Sequence, residues 1–249
     1  MSLLSVQREG SGSSFVWLHG FTQTRDSAHQ FRSILAGSHE LLTLDLPGHG
    51  SAHEVHASLD ETADLVVAAL PDESFTLGGY SFGARVALHV ALRHPKRVRQ
   101  LVLLGATRGI EDDALRQERR ARDDALAKRI ELIGTDQFLD EWLAQPMFAT
   151  LPHDPKERAA RSSDANGLAN SLRFAGTGTQ AWLAPRMKHI VVPTLALAGS
   201  RDQKFSAEAQ VIAQSVLNGR VELVGDSQHA AHVEQPAATA QLITSWLDA

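Results

Sequence analysis

The segment Gly78-Gly79-Tyr80-Ser81-Phe82-Gly83 constrains the fold more than any other part of the chain. It follows a short β-type run, Ser74-Phe75-Thr76-Leu77, and precedes a helix-forming stretch over residues 84–92. A strand, a tight Gly-x-Ser-x-Gly turn and a helix, in that order, are the setting of a nucleophile elbow. Such a turn strains the backbone at Ser81 and lifts its hydroxyl above the sheet. Gly79 and Gly83 are small because a Cβ at either would strike the neighbouring strand or helix. The bare five-residue pattern arises often by chance, and its weight here comes from the strand before it and the helix after it.

The same alternation extends along the chain. Short apolar runs at 15–18, 41–44, 74–77, 101–104, 194–198 and 221–224 alternate with helix-like segments. This predicts an α/β fold with a mostly parallel central sheet flanked by helices on both faces. Several runs end in Gly or Asp, and functional loops in open α/β sheets gather at strand C-termini. The spacing breaks once, between Leu104 and Thr194, where about ninety residues hold helical patterns and no convincing strand. A structureless loop of that length is improbable in a compact domain. The expectation is a core made of residues 1–106 and 189–249, with residues 107–188 inserted as a helical cap. That cap carries 13 Lys/Arg and 13 Asp/Glu, so the core holds the whole net charge of −5. Attraction for an anionic small molecule must therefore come from placed arginines rather than from the global field.

Several function classes drop out. With no cysteine the chain has no disulfide, thiolate metal site or cysteine nucleophile, which suits a reducing, cytoplasmic setting. Residues 1–12 lack the basic and apolar regions of a signal peptide. No stretch approaches the length needed to insert in a membrane, and the negative charge does not favour nucleic acid.

A serine hydroxyl is a poor nucleophile or base near neutrality unless a histidine takes its proton, and that imidazole needs a carboxylate on its other nitrogen. On a sheet of this kind the chain order is Ser, then Asp or Glu, then His. Asp202 follows the run 194–198, and His229 follows the run 221–224. Ser81, Asp202 and His229 therefore satisfy order and strand-end position together. Asp226 is a rival acid and His232 a rival histidine. His229 is preferred because it comes sooner after its strand. The first run ends in His19-Gly20-Phe21, a turn that can aim the Phe21 backbone N–H at an oxyanion, with the Phe82 N–H as second donor. His19 reads as a structural hydrogen-bonder. His49, His53 and His56 read as solvated loop histidines rather than a metal site, since nothing presents them convergently.

Arg85 lies one helical turn beyond Ser81. A charge so close to the root of the elbow needs a partner, either a structural one such as Asp45 or a substrate carboxylate. In the first cap helix Leu115, Arg119, Arg122 and Leu126 fall on one stripe at helical spacing, with Arg116 and Arg120 turned further away. Facing a cavity, the planar fork of Arg119 grips a carboxylate bidentately. Trp142 is either a pocket wall or ordinary cap packing.

With these pieces in place the chain resembles the α/β-hydrolase superfamily over nearly its whole length. Within it the chain is most similar to the 2-succinyl-6-hydroxy-2,4-cyclohexadiene-1-carboxylate synthases of menaquinone biosynthesis. The matching pieces are His19-Gly20-Phe21, the turn 45–50, and Gly79-Tyr80-Ser81-Phe82-Gly83-Ala84-Arg85. Further matches are Arg116-Gln117-Glu118-Arg119-Arg120 with Asp123, residues 142–148, Gly199-Ser200-Arg201-Asp202-Gln203-Lys204-Phe205 and residues 229–236. The resemblance implies an α/β-hydrolase fold and a cofactor-free, metal-free elimination of pyruvate from an enolpyruvyl ether. It implies that Arg85, Arg119 and Arg161 bind carboxylates while Tyr80 and Trp142 line the pocket. Two other classes fit the same residues: a serine hydrolase of acidic metabolites, acting on ester or carbon–carbon bonds, and a non-enzymatic ligand sensor.

Overall fold

Strands buried on both faces read as continuous apolar runs, and such runs build the centre of a parallel sheet covered by helices. The structure, a computed structural model, describes residues 3–248; Met1 and Ser2, at the head of the stretch read for a signal peptide, and Ala249 lie outside the described residues. The strands β2 (Ser14–Leu18), β3 (Glu40–Leu44), β4 (Phe75–Tyr80), β5 (Val98–Leu104), β6 (Thr194–Gly199) and β7 (Gly219–Val224) run parallel. At one edge β1 (Val6–Glu9) pairs antiparallel with β3, and the order across the sheet is β1-β3-β2-β4-β5-β6-β7. The fold is therefore the mostly parallel, helix-flanked sheet that the alternation implied.

Two features differ from the sequence reading. β1 has no counterpart in it, because Val6-Gln7-Arg8-Glu9 is polar and only an edge strand tolerates such a composition. β5 begins at Val98 rather than at Leu101, since Arg99 and Gln100 occupy an exposed strand start that apolar content does not reveal.

Helices α1 (His29–Ala36), the short α8 (Ala231–Glu234) and α9 (Pro236–Leu247) cover one face over Phe15, Trp17, Val102 and Leu195. Helices α2 (Leu59–Ala69), α3 (Phe82–Arg93) and α7 (Gln203–Ser215) cover the other over Leu18, Leu77, Leu103 and Ala196. α2 starts sharply because Ser58 and Glu61 form a reciprocal capping box.

Between β5 and β6 the described residues form helices and turns with no strand: α4 (Asp113–Leu143), α5 (Pro155–Ala159) and α6 (Ala165–Ala175). α4 is interrupted at Gly134, whose φ of 75° is open only to a residue without Cβ strain. Ala127, Ile130 and Phe138 of α4 pack on Leu168 and Leu172 of α6 as a separate apolar cluster. The insertion is tied to the sheet layer by backbone approach and by a cap. A Cβ on Gly167 would sit 2.6 Å from the Gly48 carbonyl oxygen. The Glu157 carboxylate accepts the Ala28 and His29 N–H groups at 2.7 and 2.8 Å, capping α1, which has no side-chain cap of its own.

Candidate active site

The register carries β2, β4, β5 and β6 to one level, pairing Leu18 with Gly79, Tyr80 with Leu104 and Leu104 with Leu197. The loops that leave these strand ends therefore converge. Ser81 occupies the first of them with φ 51° and ψ −102°, a conformation that costs a non-glycine residue energy and is the strain expected of a nucleophile elbow. Its backbone N–H is anchored on the Leu104 carbonyl at 2.8 Å. A Cβ at Gly83 would lie 2.1 Å from the Leu18 carbonyl oxygen, and one at Gly79 would lie 2.5 Å from the Gly83 carbonyl carbon. Both glycines permit the close crossing of strand and helix that the elbow needs.

Ser81, His229 and Asp202 come together in a line. The Ser81 hydroxyl lies 3.0 Å from His229 Nε2, and His229 Nδ1 lies 3.0 Å from Asp202 Oδ2. The other Asp202 oxygen accepts the Phe205 N–H at 3.1 Å and caps α7. Burial pushes the Asp202 carboxyl upward in pKa, but the hydrogen bond and charge of His229, the Phe205 N–H and Lys204 outweigh it, so it sits below its ordinary value. An ionised carboxylate on Nδ1 leaves Nε2 free to take the serine proton. The rivals stand apart. Asp226 is exposed and paired with Arg201, and His232 is wholly buried against Gln23.

The turn after β2 lies beside this line. Gln23 N–H closes it on the Gly20 carbonyl at 3.1 Å, and Thr22 takes φ 69°, unusual for a β-branched residue. Among the described residues neither the Phe21 nor the Phe82 N–H is spent on a hydrogen bond. His49 corrects the sequence reading: it is fully buried, not solvated. Its Nε2 accepts the Thr22 N–H at 3.3 Å, its Nδ1 donates to the Pro47 carbonyl at 3.0 Å, and burial drops its pKa to about 3. Its neighbour His53 is half-buried, and only His56 is exposed. Among the described residues no three metal-ligating side chains cluster.

A cavity of about 590 Å³ opens over the serine, lined by Ser81, His229, Tyr80, Phe82 and Phe21 from the core and by Arg119, Arg122, Trp142 and Leu172 from the insertion. Arg85 lines it too. Asp45 is not its partner, because Asp45 is filled by the Arg25 and Ser51 N–H groups and the Ser51 hydroxyl. Arg85 instead donates to the Ala175 carbonyl at 2.9 Å, at the end of α6, and lies over the Phe82 ring. Burial, with the Arg119 charge adding to it, lowers its pKa to about 10, so it remains a cation near neutrality. Arg119 Nε donates to Asp123 at 2.8 Å. Of the predicted stripe, Leu115 is exposed at 58% and does not line the cavity. Trp142 sits edge-on to Phe21 at 5.2 Å, and its buried indole N–H has no partner among the described residues. Arg161 does not line the cavity; it donates to Thr22 Oγ1 at 2.6 Å.

Lys204 lines the cavity and was not singled out in the sequence; its signal was its place two residues after Asp202, in the first turn of α7. Gln23 had no signal at all, since the partner of its amide NH2, His232, lies 209 residues away in the chain.

This fold and arrangement define a class, and the α/β-hydrolase fold family matches residues 14–236. The chain belongs to that family and is an enzyme of that fold. Relatives follow it over nearly its full length. A 2-succinyl-6-hydroxy-2,4-cyclohexadiene-1-carboxylate synthase of Serratia proteamaculans (strain 568) is 32% identical over 97% of this chain and 95% of its own. A Bacillus subtilis (strain 168) protein, provisionally named for the same activity, is 33% identical over 98% of this chain and 94% of its own. The structure of MenH from S. aureus superposes with a TM-score of 0.89 at 31% identity, covering 100% of this chain and 98% of that one.

Proposed function

We propose that this protein is a cofactor-independent lyase that eliminates pyruvate from 2-succinyl-5-enolpyruvyl-6-hydroxy-3-cyclohexene-1-carboxylate, giving 2-succinyl-6-hydroxy-2,4-cyclohexadiene-1-carboxylate. Ser81, with its proton taken by His229 and the imidazolium stabilised by Asp202, is the base. It removes the ring proton at C2, that electron pair forms the C2–C3 double bond, the existing C3–C4 double bond shifts to C4–C5, and the carbon–oxygen bond from C5 to the enolpyruvyl group breaks. The departing enolate takes up a proton and leaves as pyruvate. The Phe21 and Phe82 N–H groups form an oxyanion hole. Residues 107–188 act as a cap over this site, and the enzyme works as a cytoplasmic catalyst; among the described residues no helix is long and apolar enough to cross a membrane.

The observation that carries the reading is that Arg85 and Arg119 line the same cavity as Ser81 and His229. A generic ester needs no such cations, whereas a substrate with several carboxylates does. Near-full-length similarity to proteins named for this activity supports it. Arg161, expected as a third carboxylate ligand, lies outside the cavity and donates to Thr22 Oγ1, so the carboxylate contacts of this reading rest on Arg85 and Arg119. Tyr80 and Trp142 form the walls.

The test is pyruvate release from the enolpyruvyl substrate by wild type and by Ser81→Ala. Fast release that disappears in the variant is expected. A wild type no faster than the spontaneous reaction defeats the proposal. A second reading, hydrolysis of acidic esters through an acyl-enzyme, draws on the two unspent N–H groups beside Ser81. A burst of product from an activated ester would select it. A ligand sensor would instead keep its biological function in Ser81→Ala.

A further inference from the structure

The Phe21 N–H can stabilise an oxyanion only if its peptide plane is held. A peptide is planar and trans, so the Phe21 N–H points opposite to the Gly20 carbonyl. That carbonyl accepts the Gln23 N–H at 3.1 Å and lies 2.9 Å from His19 Nδ1. The preceding peptide is held as well, since the Gly20 N–H donates to Gln23 Oε1 at 2.9 Å. Gln23 thus clasps Gly20 from both sides, one bond through its backbone and one through its side chain.

What holds Gln23 can be deduced atom by atom. The Gly20 N–H can only donate, so the amide oxygen of Gln23 faces Gly20 and its NH2 faces His232, 3.2 Å from Nε2. An NH2 group can only donate, so His232 Nε2 is the acceptor and the imidazole proton sits on Nδ1. Were the amide flipped, Oε1 would face a bare nitrogen and the NH2 would face an N–H. His232 therefore fixes the amide orientation that Gly20 requires. Its Nδ1 has no partner among the described residues, and it is wholly buried between Tyr80, Phe31 and Trp17 at centroid distances of 4.2, 5.7 and 6.0 Å. An unpaired buried N–H is destabilising, so an apolar ring would serve packing better here. What histidine adds is the acceptor.

We infer that Gln23 and His232 are a positioning pair that fixes the direction of the Phe21 N–H in the oxyanion turn, an inference that rests on the proposed use of Ser81 and that turn. Neither touches the reacting atoms. His232 is neutral at working pH because burial, with Arg161 and His229 nearby, lowers its pKa to about 3, and a protonated ring would turn a donor toward the Gln23 NH2.

Three variants test it. His232→Phe keeps a ring but removes the acceptor, Gln23→Met keeps the chain length but removes the amide, and His232→Gln restores an acceptor near the Nε2 position. Two rates are read: pyruvate release, and phosphonylation of Ser81 by a p-nitrophenyl alkylphosphonate, whose phosphoryl oxygen needs the same N–H. The first two variants should lose roughly tenfold to hundredfold in kcat with KM within about twofold, below the loss from deleting an oxyanion donor outright. Phosphonylation should slow in parallel, and His232→Gln should recover most of both. Variants that match wild type in both rates, or that raise KM at unchanged kcat, overturn the inference. If His232→Phe fails to fold, Gln23→Met decides. A wild type that phosphonylates but releases no pyruvate defeats the lyase reading alone, and the labelling rates still judge the pair.

Discussion

Replacing Arg85 by Met separates the two roles its surroundings give it. Arg85 is 7% exposed and lines the cavity over Ser81, and its guanidinium donates to the Ala175 carbonyl at 2.9 Å. A buried charge-assisted contact to a carboxylate is worth about 1.5–3 kcal/mol, so kcat/KM for the proposed tricarboxylate should fall about 10- to 150-fold. A neutral p-nitrophenyl ester makes no such contact and should change less than about twofold. The lost bond to Ala175 acts on stability instead. An unpaired buried carbonyl costs about 1–3 kcal/mol, or roughly 2–12 °C in Tm for a chain of this size. Steady-state kinetics on both substrates at 25 °C, well below the melting range, keep the two effects apart. Arg85→Lys should fall between, keeping charge without the fork. Equal losses on the anionic and neutral substrates would refute the reasoning, because they would trace to a disturbed elbow rather than a missing carboxylate clamp.

Three further outcomes follow from the geometry. His49 and His232, both held near a pKa of about 3, titrate near the ordinary 6.5 once unfolded, so the unfolded chain binds more protons and stability falls with pH below that value. Each should cost about 2 kcal/mol between pH 7.5 and 5, and urea titrations that show no loss over that window would contradict their burial as neutral rings. Asp45 and Asp202, whose values are depressed, lose their contribution only below the carboxylate range and do not mask this. Gly83→Ala would place a methyl 2.1 Å from the Leu18 carbonyl oxygen and should yield little soluble protein; a well-folded, active variant would contradict the elbow geometry. Gly105→Ala puts a Cβ 2.9 Å from His229 Cε1 at φ 63°, and should lower kcat about tenfold or more by displacing the ring, checked against an unchanged KM.

The elbow was legible because its constraint is local: two glycines, a serine, and the strand and helix that flank them lie within one short stretch. Asp202 and His229 were legible because each follows an apolar run, and strand ends share one edge of a parallel sheet. The environment of a side chain was harder to read. His49 looked like a loop histidine because its burial comes from Phe21 and Phe82, which lie next to it only after folding. Asp45 was a reasonable partner for Arg85 by charge, yet the turn after β3 fills its oxygens with local donors. β1 escaped notice since an edge strand pairs through its backbone and needs no apolar pattern. The long-range bond between Gln23 and His232 left no trace in either local sequence.

The division of labour within the cavity bears on what separates an ester hydrolase from an eliminating enzyme on this fold. Ser81, Asp202 and His229 hang on β4, β6 and β7, while Arg119 and Trp142 come from α4 of the insertion. Arg85 stands at the seam, rising from α3 of the core and bonded to the last turn of α6. In the proposed mechanism the core elements supply a base and oxyanion donors that suit acyl transfer and proton abstraction equally well. The cations then choose between them. A substrate held by its carboxylates presents a ring C–H where an ester would present its carbonyl, and the same serine then meets a proton instead of an electrophilic carbon. On that reading the reaction type of this protein is a property of its arginines. Moving or neutralising Arg85 and Arg119 together should therefore erode pyruvate release well before it erodes any residual esterase activity of Ser81.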